Sequence, residues 1–273
     1  VITVPSRYGK AQREAVIEAC RSAQLNVIDF INAPTAAAVA YCLTSPRRER
    51  RNVLVCNMGG SYFDFSLLCI EDCVIVERAI GTDYIDLDNC LLRYCMQDLR
   101  EKWSTNIVGQ SLSVQRLREK CEVAKKMLST HNQARIEVTN LIPDTDYFCT
   151  ISRVHFEELC KDDIGALLDP ISWSLEDSGL EKGDIDEVVL VGGSARVPAV
   201  RRALQDFFYG KKPHEVMRPE HAAVLGAAAY SALLVGAWDG EVPQELRQLE
   251  VKQVTPWSSL PGDGEGECEG RDG

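Results

Sequence analysis

Two glycine pairs, each placed straight after an apolar run of β-forming residues, constrain this chain more than any other feature: VLVCNMGGSYFDF at residues 53–65 and VVLVGGSARVP at residues 188–198. Glycine lets a backbone approach a ligand closely and turn its N–H groups onto a phosphate or a base. Taken singly, the first pair reads by default as a plain hairpin turn, and the second reads as readily as a strand-to-helix turn.

The 273 residues, 45% of them hydrophobic, are enough for a large core in one or two domains. A net charge of -11, from 41 acids against 30 bases, gives no footprint for nucleic acid or an anionic membrane. The one basic cluster, SPRRERR at 45–51, reads as a solvated loop before it reads as an import signal. Eleven cysteines, an odd count, lie mostly in apolar runs such as LLCIEDCVIV, where Cys acts as a small hydrophobe. That usage fits a reducing compartment, and a cytoplasmic location is the expectation. Neither Cys69 with Cys73 nor Cys90 with Cys95 has a second pair or a His at ligand spacing, so no metal site is expected. The chain opens on Val1 already inside a strand-like run, which reads as a cut end with any targeting segment unreadable. AAVLGAAAYSALLVGAW at 222–238 lacks charge but is short and rich in Ala and Gly, so it predicts a buried helix and not a membrane span.

Along the chain, a strand at 1–4, a helix at about 10–24, a strand at 26–31 and a small-residue helix at 35–43 give a βαβα opening. Runs at 53–56, 63–70 and 73–79, separated by short turns, predict an antiparallel meander and hence a mixed sheet. Residues 87–128 read as helical, 134–153 as a hairpin and 154–177 as helical again, a block of subdomain size. A buried strand at 187–190 then leads through Gly192, Gly193 and Ser194, a candidate N-cap, into a helix that Pro198 begins. After Trp238 the composition turns to Gly, Pro and acids, and 262–273 reads as disordered.

Three constellations carry chemistry. In NMGGSYFD, 57–64, a glycine turn can cradle phosphate oxygens while flanking acids hold a magnesium ion or its waters. In VGGSARVP the strand, glycines and helix admit a flat ring against the backbone. In CEVAKKMLS, 121–129, Glu122, Lys125, Lys126 and Ser129 fall on one helix face, which by itself is a solvated face.

In this order the segments resemble the nucleotide-binding domain of the seventy-kilodalton heat-shock chaperone family. The likeness covers about residues 1–237, through VITVPSRYGKAQREA, QLNVIDFINAPTAAAVAY, RNVLVCNMGGSYFDFSLL, RLREKCEVAKKMLS, ISRVHFEEL, IDEVVLVGGSARVPAV, LQDFFYGKKP and RPEHAAVLGAAAYSALL. It implies an α/β, actin-like ATPase (ribonuclease H-like) fold, with a partial lobe I and a complete lobe II. On that division 1–46 is the remnant of lobe I, and 47–219 is lobe II with a helical and hairpin subdomain at about 87–162. Residues 220–237 form a helix returning to lobe I; 238–273 hold a linker, the start of a substrate-binding domain and an acidic tail. ATP or ADP is the implied cofactor. Gly59, Gly60, Ser61 and Tyr62 then flank the phosphates, Glu122, Lys125, Lys126 and Ser129 address ribose and adenine, and Gly192, Gly193, Ser194, Arg196 and Glu220 close over the adenosine. Pro5 and Arg13 match residues that relay nucleotide state between domains. J-domain proteins and nucleotide exchange factors are the implied partners.

Departures fall on the catalytic positions. The family's NEPTAAA reads NAPTAAA, so Ala33 stands for a glutamate, and Asn57 stands for the first acid of DLGGGTFD, leaving Asp64. Asn57 offers a magnesium ion only a neutral oxygen and cannot act as a base, so magnesium is expected to be held less firmly. Ser61 and Tyr62 replace a glycine and a threonine, GTDYIDLDN lacks the glycine pair of GGED, and Lys126 replaces an arginine whose plane stacks on a base. The first half of lobe I, with its phosphate loop and lysine, has no counterpart. In LRQLEVKQ, 246–253, charges and glutamines interrupt the family's leucine run, so docking of that linker is expected to weaken. The implied function is an ATP/ADP-binding chaperone domain with little or no hydrolysis. The alternatives are a noncatalytic pseudo-ATPase that binds co-chaperones or other proteins and, remotely, an actin-like sugar kinase.

Overall fold

β-Branched runs and alternation place the sheet first. The computed structural model describes residues 1–45, 48–72, 74–104, 106–216, 218–236 and 249–254. The expectations for Trp238, for the first part of the linker, for the segment after Val254 and for the acidic tail lie outside these residues.

The opening is β1 (Ile2–Val4), α1 (Lys10–Ser22), β2 (Phe30–Asn32) and α2 (Ala33–Thr44). β1 and β2 pair in parallel as a sheet of their own, and α1 has no buried residue. Next come β3 (Arg51–Met58), β4 (Tyr62–Glu71) and β5 (Val74–Tyr84), the expected antiparallel meander. β8 (Glu187–Val191) and β9 (His214–Glu215) continue in parallel beside β3, giving a six-stranded mixed sheet ordered β10-β5-β4-β3-β8-β9, with β10 at Glu250–Lys252.

The inner strands are buried on both faces, as their unbroken apolar runs require. Leu54, Cys56, Met58, Phe63, Phe65, Val188 and Leu190 face a core shared with the helices and hairpin that follow β5. The alternate residues Val53, Val55, Val189 and Val191 face a second core made with α2 and α9 (Ala222–Leu234). These two helices approach so closely that a Cβ on Gly226 would stand 1.6 Å from the Ala36 carbonyl oxygen, which is why their contact is built from Ala and Gly.

The helical block at 87–128 is two helices, α3 (Leu87–Trp103) and α4 (Ser111–Leu128), because Ser104 and Gly109 adopt positive φ of 50° and 90° between them. The hairpin is β6 (Gln133–Ile142) with β7 (Thr145–Ser152). The stretch read as one helix at 154–177 is three: α5 (Arg153–Leu159), α6 (Lys161–Ala166) and α7 (Leu168–Asp177). α8 (Pro198–Phe207) starts at Pro198 as its preset φ favours. Among the described residues no helix is long and apolar enough to cross a membrane, and the nine described cysteines are all free thiols.

Candidate functional site

The two glycine turns come together because β3 and β8 are parallel neighbours: Asn57 is in register with Val191, so the chain leaves both strands at the same end of the sheet. At the first turn the Gly59 amide donates to the Tyr62 carbonyl at 3.0 Å, which closes the hairpin. At the second, Gly192 has φ +86°, and a Cβ there would lie 2.2 Å from the Met58 carbonyl oxygen. Only glycine lets the second turn rest on the end of β3. Ser194 does not cap a helix. It sits in a short 3-10 turn, Gly193–Arg196, and its hydroxyl donates to the Gly59 carbonyl at 2.6 Å.

These turns and α4 enclose a cavity of about 440 Å³, within the range of small-molecule sites. Gly59, Gly60, Glu122, Lys125, Lys126, Gly193, Ser194, Arg196 and Glu220 line it. Nine of the expected binding residues, from four stretches of sequence far apart, therefore share one space. Ser61, Tyr62, Ser129 and Gly192 do not line it. Tyr62 is 62% exposed and meets Tyr84 edge-on, with ring centroids 6.0 Å apart, and the Ser129 hydroxyl reaches back to the Lys125 carbonyl at 3.4 Å.

Charge on the walls is paired. On α4 Lys126 and Glu122 form an i, i+4 bridge at 2.6 Å, and opposite them Arg196 donates to both oxygens of Glu220 at 3.2 and 2.9 Å. Lys126 holds the Glu122 carboxyl below its ordinary range. Glu220 is lowered by its own backbone amide first and then by Arg196. Both bonds leave one nitrogen, Nη2, so the pair anchors the tip of a half-exposed guanidinium, a planar group able to stack on flat rings.

Lys125 departs from the solvated face that its spacing predicts. It is buried and donates to Asp88 at 2.8 Å. Burial pushes the Asp88 carboxyl up, Lys125 pulls it back, and its Oδ1 has no hydrogen-bond partner among the described residues. Sequence reasoning misses Asp88 as part of this wall, because its partner is 37 residues away, beyond any local spacing rule. The one usable signal nearby is Asp86, whose carboxylate accepts the Asn89 amide at 3.0 Å and so caps α3.

The catalytic positions lie outside the cavity. Asp64 is buried; its Oδ2 accepts the Ser6 amide at 3.0 Å and its Oδ1 the Thr82 hydroxyl at 2.8 Å. Burial raises its pKa against these bonds. Asn57 and Ala33 bring no carboxylate, and among the described residues no three His, Cys, Asp or Glu side chains are grouped to hold a metal ion. Arg13, matched to the family's relay, donates to Asn32 Oδ1 at 2.8 Å.

The chain belongs to the Hsp70 protein family, whose model matches residues 1–261, and with it to the actin-like ATPase fold. It is 37% identical over 259 residues to heat shock 70 kDa protein 2 of Paracoccidioides lutzii, covering 93% of this chain and 40% of that protein. It is also 38% identical over 268 residues to a ribosome-associated molecular chaperone of Zygosaccharomyces rouxii, covering 96% of this chain and 44% of that protein. For the heat shock 70 kDa protein of Neurospora crassa the figures are 37% over 259 residues, 93% and 40%. The chain thus spans about two fifths of the length of these relatives.

Proposed function

We propose that this chain binds ADP or ATP as the nucleotide-binding part of a heat-shock 70-type chaperone, with little or no hydrolysis. The observation that carries the reading is the cavity between the two glycine turns and α4. In this reading 1–46 belongs to lobe I and 47–219 is lobe II. Adenosine lies against the backbone of Gly193 with the Arg196 guanidinium across its ring, and Glu122 and Lys126 meet the ribose. Gly60 and Ser61 turn toward the phosphates, since the Gly59 amide is committed to the hairpin.

The residues present would hold a magnesium ion only weakly. Both oxygens of Asp64 are engaged, Asn57 is neutral and Ala33 has no ligand atom. Positioned metal and charge contribute several kcal/mol to phosphoryl transfer, and each ~1.4 kcal/mol is tenfold in rate. Adenosine contacts do not depend on those groups, so affinity persists where turnover does not. Co-chaperones such as J-domain proteins and nucleotide exchange factors remain partners by family likeness.

Calorimetric titration with ADP and ATP, with and without magnesium, beside single-turnover hydrolysis, tests this. Binding that is indifferent to magnesium, with phosphate release at the uncatalysed rate, is expected. Magnesium-dependent turnover would overturn the loss of catalysis. A folded chain that ignores both nucleotides would favour the second reading, a noncatalytic module for partner proteins, which the absent acids at Ala33 and Asn57 also support.

A further inference from the structure

The charges around the cavity between the two glycine turns and α4 are already neutralised by one another. The charged residues that line it are Glu122, Lys125, Lys126, Arg196 and Glu220. Lys126 is bridged to Glu122 at 2.6 Å and Arg196 to Glu220 at 2.9 Å, while Lys125 turns away to Asp88 at 2.8 Å. Three cations therefore meet three carboxylates, and the wall carries no net charge.

Such a wall suits a phosphate poorly. A phosphate monoester brings a charge of about −1.5 to −2 at neutral pH, and is held by cations or by several aligned amides. Each lysine or arginine here would first have to leave its bridge, and the carboxylate it left would stand beside the incoming anion. At the first turn the Gly59 amide is committed to the Tyr62 carbonyl, so the turn offers its remaining amide dipoles and no full charge. The ionisable side chain at the foot of that turn is another acid, Asp64, in register with Asn57. A net charge of -11 on the whole chain adds a field of the same sign.

The same wall suits a ligand that donates hydrogen bonds. A carboxylate accepts at about four lone-pair sites and donates at none. Glu122 and Glu220 line the cavity half-exposed, and one cation apiece leaves part of that capacity open. Behind Lys125, Oδ1 of Asp88 is buried without a hydrogen-bond partner among the described residues. Ribose hydroxyls and an exocyclic amine are donors of the kind these oxygens take; phosphate oxygens are not. The volume of about 440 Å³ lies toward the small end of the range for ligand sites.

Resting on the reading that this cavity holds adenosine, we propose that its preferred ligand is the uncharged nucleoside and that each phosphate added to that nucleoside weakens binding to this chain. The paired walls, rather than the phosphate turn, then set which member of the adenosine series is taken.

Calorimetric titration of the full chain with adenosine, AMP, ADP and ATP, in magnesium-free buffer at low and at high salt, tests the proposal. Affinity should fall along that series, with adenosine bound ~10-fold or more tighter than ATP at low salt. Added salt screens the repulsion, so ATP should bind more tightly as salt rises while adenosine stays constant. Glu122→Gln, at an exposed i, i+4 pair whose loss the fold tolerates, frees Lys126 and gives the wall a net positive charge. The ratio of adenosine to ATP affinity should then shrink by ~3-fold or more. ADP or ATP bound more tightly than adenosine, or a nucleotide affinity that salt weakens, would overturn the proposal and leave the adenosine reading standing. A chain that takes up none of the four removes the adenosine reading itself.

Discussion

The hydroxyl of Ser194 reaches the carbonyl of Gly59 at 2.6 Å, so the turn after β8 is fastened to the turn after β3 by one side chain. Ser194→Ala leaves that carbonyl without its donor. We expect a loss of about 1–2 kcal/mol in urea unfolding, with nucleotide affinity falling because the turns are no longer held in register.

Gly192 and Gly193 are adjacent but answer to different demands. Gly192→Ala puts a methyl at positive φ against the backbone of Met58, and the expected result is loss of ~3 kcal/mol or more, or insoluble protein. A Cβ on Gly193 meets nothing within 4 Å, so Gly193→Ala should unfold within about 0.5 kcal/mol of the parent. Its methyl enters the cavity, and titration with ADP should show weaker binding by a chain of unchanged stability.

The Lys125–Asp88 pair is buried on both sides. Lys125→Met strands a carboxylate that already has one unpartnered oxygen, and should cost about 3–5 kcal/mol in denaturant. Adding Asp88→Leu removes the stranded charge and should recover most of that loss. A double variant no more stable than the single one would show that the pair does not act as a unit.

Asp64 gives a pH signature. Because burial raises its pKa in the folded chain above the unfolded value of about 3.9, its contribution is fully present below that pH and is lost as pH rises through the raised value. Asp64→Asn lacks this titration. Its melting temperature should therefore gain on the parent as pH goes from about 4 to 7. Parallel melting curves across that range would contradict the shift.

What can be read from the sequence follows from how local each cause is. The meander of β3, β4 and β5, the start of α8 at Pro198 and the small-residue helices all rest on patterns a few residues long. The meeting of Gly59, Glu122, Arg196 and Glu220 is reached through family likeness, since nothing in their spacing brings four distant stretches together. Local pattern fails where a distant partner decides. The spacing of Lys125 suggests a solvated face, but Asp88 covers it; Ser194 is placed like a cap, but Gly59 supplies its acceptor. Glu77 lies in a strand whose alternation gives no hint that Thr35, Ser66, Asn32 and Val254 converge on it. The break between α3 and α4 depends on left-handed backbone at Ser104, a residue type that carries little such preference.

The pairing of β3 with β8 joins residues 134 positions apart, as the contact from Asn52 to Asp186 measures. At about 5–20 residues per second, synthesis takes roughly 7–27 s to produce the second strand after the first. Throughout that interval a strongly apolar strand waits on the nascent chain with one side bare, open to mispairing. The same interval means that the cavity between the two glycine turns closes only after the hairpins and helices between them have had time to form.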